Sequence, residues 1–269
     1  MGVFDSGLGG LTVVKELVRR LPQESVLYLG DTARVPYGTK SPETIRRFSR
    51  EAAHFLLGRD VKMIVVACNT ATAHALDVLV AESPVPVVGV IEAGARAAHH
   101  ASESGRIGVI GTTGTIASGA YDRAVRRLRG PAVEVYAQAC PLFVPLVEDG
   151  LAEHQAARLI AQDYLAPLHE VGIDTLVLGC THYPAMRETI AGVMGQAVRL
   201  IDSGEETALD VARILSERDL LAPADHTPTR MFSVTDLPLR FRTVGRLLVG
   251  DMIESVEHVQ VEGALERVP

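Results

Sequence analysis

Met63-Ile-Val-Val-Ala-Cys-Asn-Thr70 and Thr175-Leu-Val-Leu-Gly-Cys-Thr-His182 share one pattern at an offset of 112 residues: a short apolar run, a cysteine at its end, then a hydrogen-bonding pair. Two further pairs keep the same order at nearly the same spacing. Val90-Ile-Glu-Ala-Gly94 matches Leu200-Ile-Asp-Ser-Gly204 at 110 residues, and Gly2-Val-Phe-Asp5 matches Gly108-Val-Ile-Gly111 at 106. Buried strands resemble one another in composition. A cysteine repeated at the same strand end, with a polar pair after it, points beyond that to two related halves.

Short apolar runs recur along the whole chain at Val26–Leu29, Met63–Ala67, Val87–Ile91, Ile107–Ile110, Ala132–Tyr136, Thr175–Leu178 and Val198–Ile201. They are β-branched and apolar on both parities, as strands covered on both faces require. Between them lie segments of helical period, such as Leu11, Val14, Leu17, Val18 and Leu21, or Ile45, Phe48, Ala52, Phe55 and Leu56. This alternation predicts an α/β fold with parallel sheets. After Ser203 come a helical pattern over Glu206–Arg218, a proline-containing stretch and a strand-helix-strand pattern with no third copy of the cysteine motif. That tail is expected to return to the first half, giving one unit of residues 1–95 plus 206–269 and an inserted second unit of residues 96–205.

Composition narrows the function classes. The 269 residues carry a net charge of −7, which disfavours a general nucleic-acid binder, because neutralising phosphates needs a basic surface. Three widely spaced cysteines, Cys68, Cys140 and Cys180, make neither a disulfide framework nor a zinc-spaced cluster. No signal-peptide pattern opens the chain and no apolar run is long enough to span a membrane, so a cytoplasmic protein is expected. Only three of the 26 cationic residues are lysines. Lys15 falls inside a helix, Lys40 in a turn and Lys62 before a strand, so none is placed to carry a pyridoxal Schiff base.

In an open parallel sheet, ligands sit beyond the carboxyl ends of the strands. Four loops fall there: Asp5-Ser6-Gly7-Leu8-Gly9-Gly10, Pro36-Tyr37-Gly38, Cys68-Asn69-Thr70 and Cys180-Thr181-His182. The first opens a helix and offers free amides to an anion. Its dinucleotide fingerprint is incomplete, since Thr12 stands where the third glycine belongs, although Asp31 closes the second strand where a ribose reader would sit. Cys68 and Cys180 both precede expected helix starts, where the helix field favours thiolate. Cys140 has no matching partner and reads as structural.

A Cys-His hydrolase would use Cys180 and His182 but leave Cys68 without a task. Two pseudosymmetric thiols facing one another across a cleft suit stereoinversion at carbon: one removes a proton, the other returns one to the opposite face. The remaining loop groups, Ser6, Asn69, Thr70, Thr181 and backbone amides, are neutral donors able to hold carboxylates, while Asp5 is able to receive an ammonium.

Val3-Phe4-Asp5-Ser6-Gly7-Leu8-Gly9-Gly10-Leu11-Thr12, Gly30-Asp31-Thr32 with Pro36-Tyr37-Gly38, Ala67-Cys68-Asn69-Thr70-Ala71 and Gly179-Cys180-Thr181-His182-Tyr183-Pro184 together resemble the bacterial glutamate racemases, within the cofactor-independent aspartate/glutamate racemase superfamily. The resemblance covers nearly the whole chain and extends past Phe232, Thr235 and Asp236. It implies two pseudosymmetric α/β domains with the active site in the cleft between them. It also implies a cytoplasmic enzyme, with no cofactor and no metal, that interconverts L- and D-glutamate to supply peptidoglycan precursor synthesis and so cell-wall shape. By the same resemblance, Cys68 exchanges the α-proton of D-glutamate and Cys180 that of L-glutamate. Asp5 and His182 assist them, with Glu148 a further candidate near the second thiol. Substrate contacts fall on Asp5, Ser6, Tyr37, Gly38, Asn69, Thr70, Thr181 and His182. The partner is then the small-molecule substrate, with neither nucleic acid nor membrane, and a homodimer is left open. His74 and His154 lack motif support and read as ordinary helix positions. Two other readings stand beside this one: an aspartate racemase or related superfamily isomerase, and a non-catalytic two-lobed amino-acid-binding module.

Overall fold

The computed structural model describes residues 1–261. Its strands, in chain order, are β1 (Gly2–Asp5), β2 (Val26–Gly30), β3 (Ile64–Val66), β4 (Val87–Gly89), β5 (Arg106–Gly111), β6 (Glu134–Ala139), β7 (Thr175–Gly179), β8 (Arg199–Asp202), β9 (Arg230–Val234) and β10 (Glu257–His258). They form two sheets, ordered β10-β9-β2-β1-β3-β4 and β6-β5-β7-β8, and every pairing is parallel. The order β2-β1-β3-β4 in one sheet repeats as β6-β5-β7-β8 in the other. The three sequence matches therefore fall on equivalent elements: β1 with β5, β3 with β7, and the ends of β4 and β8.

Parallel strands need covering on both faces, and the burial follows: β1, β2, β3 and β7 are buried at every position. Helix Leu11–Arg20 turns Leu11, Val14 and Leu17 onto one face of the first sheet, where Ala208, Val211 and Leu215 of helix Ser203–Glu217 join the same core. Helix Pro42–Leu57 covers the other face with Ile45, Phe48, Ala52 and Leu56. It starts where Ser41 accepts from Thr44 N and proline occupies the first turn. Each fully buried Leu, Ile or Val contributes roughly 1.5–3 kcal/mol against exposure, so these faces hold the strand ends in place.

The tail pairs β9 with β2 at the edge of the first sheet, followed by helix Pro238–Val249 and β10. Residues 262–269, which the expected first unit includes, lie outside the described residues. Two local expectations shift. The run Val87–Ile91 is strand only to Gly89, and Val90 opens helix Val90–Ala101, because periodicity cannot separate a buried strand from the first turn of a buried helix. The run Ala132–Tyr136 becomes a strand two residues later, at Glu134–Ala139.

In each sheet the chain leaves the central strand in both directions, β1 toward β2 and then β3, β5 toward β6 and then β7. The crevices beyond β1/β3 and β5/β7 are the topological switch points where ligands bind in such sheets.

Candidate active site

β1 delivers Asp5, fully buried, to the first crevice. Its Oδ2 accepts from Gly7 N at 2.9 Å, while Tyr28 Oη donates to Gly7 O at 2.8 Å and pins the turn. Burial pushes the Asp5 carboxyl up; the His182 charge, the Gly7 and Gly10 amides and the Thr181 hydroxyl pull against it. A Cβ on Gly9 would lie 2.2 Å from Thr181 Oγ1 and 2.5 Å from His182 Nδ1, so the turn touches the opposite lobe only because position 9 has no side chain.

β3 delivers Cys68, which caps helix Asn69–Glu82: its Sγ accepts from Ala71 N at 3.5 Å and donates to Ser6 Oγ at 3.7 Å. Burial, then the Asp5 charge, push this thiol up to about 12, with the Ala71 amide and Ser6 pulling back, so at neutral pH it is a proton-bearing thiol. Tyr37 donates to Asp31, which also binds Arg34 at 2.8 Å and Thr235 at 2.9 Å. Asp31 is thus spent on holding the Tyr37 loop. A Cβ on Gly38 would meet Thr112 Cβ at 2.6 Å, a second close contact between the lobes.

β7 delivers Cys180. It does not precede an α-helix directly, as the sequence suggested; a short 3-10 turn, Tyr183–Met186, comes first, with His182 at its start. Cys180 Sγ lies 3.9 Å from His182 Nδ1, and His182 Nε2 lies 3.1 Å from Glu148 Oε1. Burial alone would lower the imidazole, but the bonds to Cys180 and Glu148 and the charges of Cys180 and Asp5 outweigh it and raise His182 to about 10. His182 is therefore an imidazolium at neutral pH. Glu148 is held below the usual carboxylate range first by His182, against its own burial, with Arg240 adding a little from 3.9 Å.

Ser6, Tyr37, Gly38, Cys68, Asn69, Thr70, Cys180, Thr181 and His182 line one cavity between the two sheets, with Val35, Pro36, Thr112 and Val144 completing the wall. None of these lining residues is Lys or Arg. Asp5 and Glu148 stand behind the wall: Thr181 Oγ1 donates to Asp5 Oδ1 at 3.4 Å, and Glu148 holds His182. The free space is about 20 Å³, close to the room of a single water. A roomier cleft of 460 Å³ at the amino ends of the strands, lined by Glu24, Lys62 and His226 among others, contains none of these groups.

Sequence reasoning missed Thr112. Its Oγ1 lies 2.9 Å from Thr70 Oγ1 and 3.0 Å from Thr115 Oγ1, and Thr70 and Thr115 lie 3.1 Å apart, a triangle of hydroxyls across the lobes. The signal available was position: Thr112 follows β5 as Ser6 follows β1. Cys140 is buried, its thiol pushed up by burial, and its carbonyl accepts from Tyr183 Oη at 2.8 Å. His154 caps helix Gln155–Glu170, and His74 bonds Gly114 O at 3.1 Å across the lobes. Among the described residues there is no His/Cys/Asp/Glu group able to hold a metal ion and no helix long and apolar enough to cross a membrane.

The sequence pattern of the Asp/Glu/Hydantoin racemase family matches residues 5–210. The chain belongs to that family. This racemase is 53% identical over 266 residues to a glutamate racemase of Geobacter metallireducens, covering 99% of this chain and 98% of that one. A glutamate racemase of Neisseria gonorrhoeae is 48% identical over 97% of this chain and 96% of its own. Among solved structures, glutamate racemase from Bacillus anthracis superposes on the racemase with a TM-score of 0.92 at 41% identity, over 96% of each chain. Glutamate racemase from Francisella tularensis in complex with D-glutamate does so at 0.90 and 40% identity, over 97% of each. An aspartate racemase from Picrophilus torridus, 17% identical with a TM-score of 0.56 over 83% of this chain and 99% of that one, shares the fold.

Proposed function

We propose that this racemase interconverts L- and D-glutamate by direct proton transfer at Cα between two cysteines. The observation that carries the reading is the pair Cys68 and Cys180, from equivalent strand ends of the two lobes, lining one cavity with hydroxyls and amides around it. Cys180 takes the α-proton of L-glutamate, Cys68 delivers a proton to the opposite face, and the roles reverse for D-glutamate. The resting charges fit the forward direction: Cys68 carries the proton it delivers, and the His182 imidazolium is the positive neighbour that a Cys180 thiolate base requires before it takes the α-proton.

The α-proton is poorly acidic, so the site has to stabilise a developing carbanion. Ser6, Asn69, Thr70, Thr181 and the amides at the start of helix Asn69–Glu82 are donors for the α-carboxylate, on a wall buried between the two sheets. Tyr37 and Gly38 belong to the same wall, and Asp5, behind it and bonded to Thr181, is the acidic group toward which the ammonium is drawn. D-Glutamate so formed serves peptidoglycan precursor synthesis in the cytoplasm.

The test is racemisation of each glutamate enantiomer, followed by circular dichroism with no added cofactor, alongside L- and D-aspartate. In D2O the product should gain α-deuterium, and Cys68→Ala and Cys180→Ala should each lose at least about 10³-fold in kcat. Full racemisation by either variant would overturn the two-thiol scheme; faster inversion of aspartate would overturn the substrate.

A further inference from the structure

The Asn69 side chain is tied at one end and loose at the other. Its Oδ1 accepts from Tyr121 Oη at 2.7 Å, while its Nδ2 is buried without a partner among the described residues. A buried NH2 group with no acceptor is destabilising, and such a group in a native fold calls for a reason. Asn69 lines the cavity beside Cys68, and a carboxylate bound there would supply the missing acceptor.

Which end of that amide is left free depends on Tyr121. A carboxamide turned by 180° keeps nearly the same shape, so only its hydrogen-bond partners choose between oxygen and nitrogen. Burial holds the Tyr121 phenol above its usual range, with the nearby Ser203 hydroxyl offsetting part of that rise, so it stays protonated and donates. A phenol that donates requires Oδ1 opposite it and turns Nδ2 away. The ring has little freedom. A Cβ on Gly179 would lie 3.0 Å from Tyr121 Cε2, and one on Gly94 would lie 3.3 Å from its Oη. Tyr121 sits on helix Ala120–Arg129, against the second sheet, whereas Asn69 follows β3 of the first, so the bond crosses from lobe to lobe.

We propose that Tyr121 is a positioning residue for racemisation: it holds the Asn69 amide so that Nδ2, a donor otherwise unsatisfied, faces the substrate carboxylate. This rests on the glutamate reading above. The amide is set only while the two lobes are together, so the donor is oriented as the cleft shuts.

Tyr121→Phe keeps the ring and removes the bond. The expected result is a rise of about 10-fold in KM for both glutamate enantiomers, which share the α-carboxylate, with kcat changed less and the pH profile unmoved. Asn69→Ala should lose at least as much, and Tyr121→Phe added to Asn69→Ala should lose nothing more; a merely structural tyrosine would multiply its loss onto the second variant. In the ligand-free protein, the labelled Asn69 side-chain amide should give one pair of NMR resonances, doubled or averaged in Tyr121→Phe. An unchanged amide spectrum, or a parental KM in Tyr121→Phe beside an active parent, overturns the proposal. A parent inert toward glutamate overturns the substrate reading instead, and the amide spectrum then decides Tyr121 by itself.

Discussion

His182 Nε2 stands 3.1 Å from Glu148 Oε1, and this contact gives Cys180 a cationic escort, whereas the charged neighbour of Cys68 is the Asp5 carboxyl. Around Cys68 the nearest partners are a hydroxyl and a backbone amide. The two halves repeat in strand order and in the placing of their thiols, but not in the electrostatics behind those thiols.

Glu148→Gln keeps the shape and removes the counter-charge of the imidazolium. L- and D-glutamate have equal free energy in water, so kcat/KM has to fall by the same factor in both directions. We expect a fall of about 10- to 100-fold, in line with charge-assisted bonds of roughly 1.5–3 kcal/mol. The asymmetry should appear in kcat and KM taken separately. Initial rates from each enantiomer by polarimetry check this, and unequal losses in kcat/KM would point to an assay artefact or a changed product.

The pH dependence of stability follows from the raised imidazole. His182 binds its proton up to about 10 in the fold and up to 6.5 when unperturbed. Its stabilising contribution is complete below about 6.5 and is lost as pH rises through the folded value. Glu148, held low, acts oppositely: its contribution is present above its usual 4.5 and is lost as pH falls. Urea midpoints measured from pH 6 to 10 should therefore decline more steeply for the parent than for His182→Asn. Parallel curves would contradict the assignment.

Gly9→Ala places a methyl 2.2 Å from Thr181 Oγ1 and 2.5 Å from His182 Nδ1. Thr181 and the His182 ring both line the site, so relief of the clash displaces them. Activity should fall at least about 100-fold, while overpacking costs about 1–3 kcal/mol of stability. Paired kinetics and denaturant titration check it; parental kcat/KM would show that the lobes meet less closely.

Thr112→Val preserves shape and deletes one corner of the hydroxyl triangle. Thr70 then loses its 2.9 Å partner and its fixed direction. A net hydrogen bond of about 1 kcal/mol corresponds to a rise of roughly 5-fold in KM, measurable by the same assay, and restored by Thr112→Ser.

Much of the site was legible because its residues follow buried strands. A run such as Ile64–Val66 announces itself by being apolar on both parities, and whatever follows it is carried to the sheet edge. Asp5, Cys68 and Cys180 are found that way. Thr112 and Tyr121 were not, since a threonine in Gly111-Thr-Thr-Gly114 and a tyrosine at helical spacing carry no local mark. Their importance comes from facing the opposite lobe, which depends on how two sheets dock. The boundary at Gly89 was misplaced for a related reason: Val90 and Ile91 are as apolar as the strand they follow, and only the backbone turn separates them.

The scarcity of space between the thiols has a temporal consequence. A cavity with about 20 Å³ free admits glutamate only if its walls part, so each cycle of the proposed reaction begins and ends with opening. While shut, both cysteines are buried, 5% and 6% exposed, and little of either meets bulk water. Under the two-cysteine scheme, one L-to-D passage leaves the protein in the protonation form suited to D-glutamate. Until the cleft has opened long enough for water to reset the pair, the enzyme keeps a record of the enantiomer it last released.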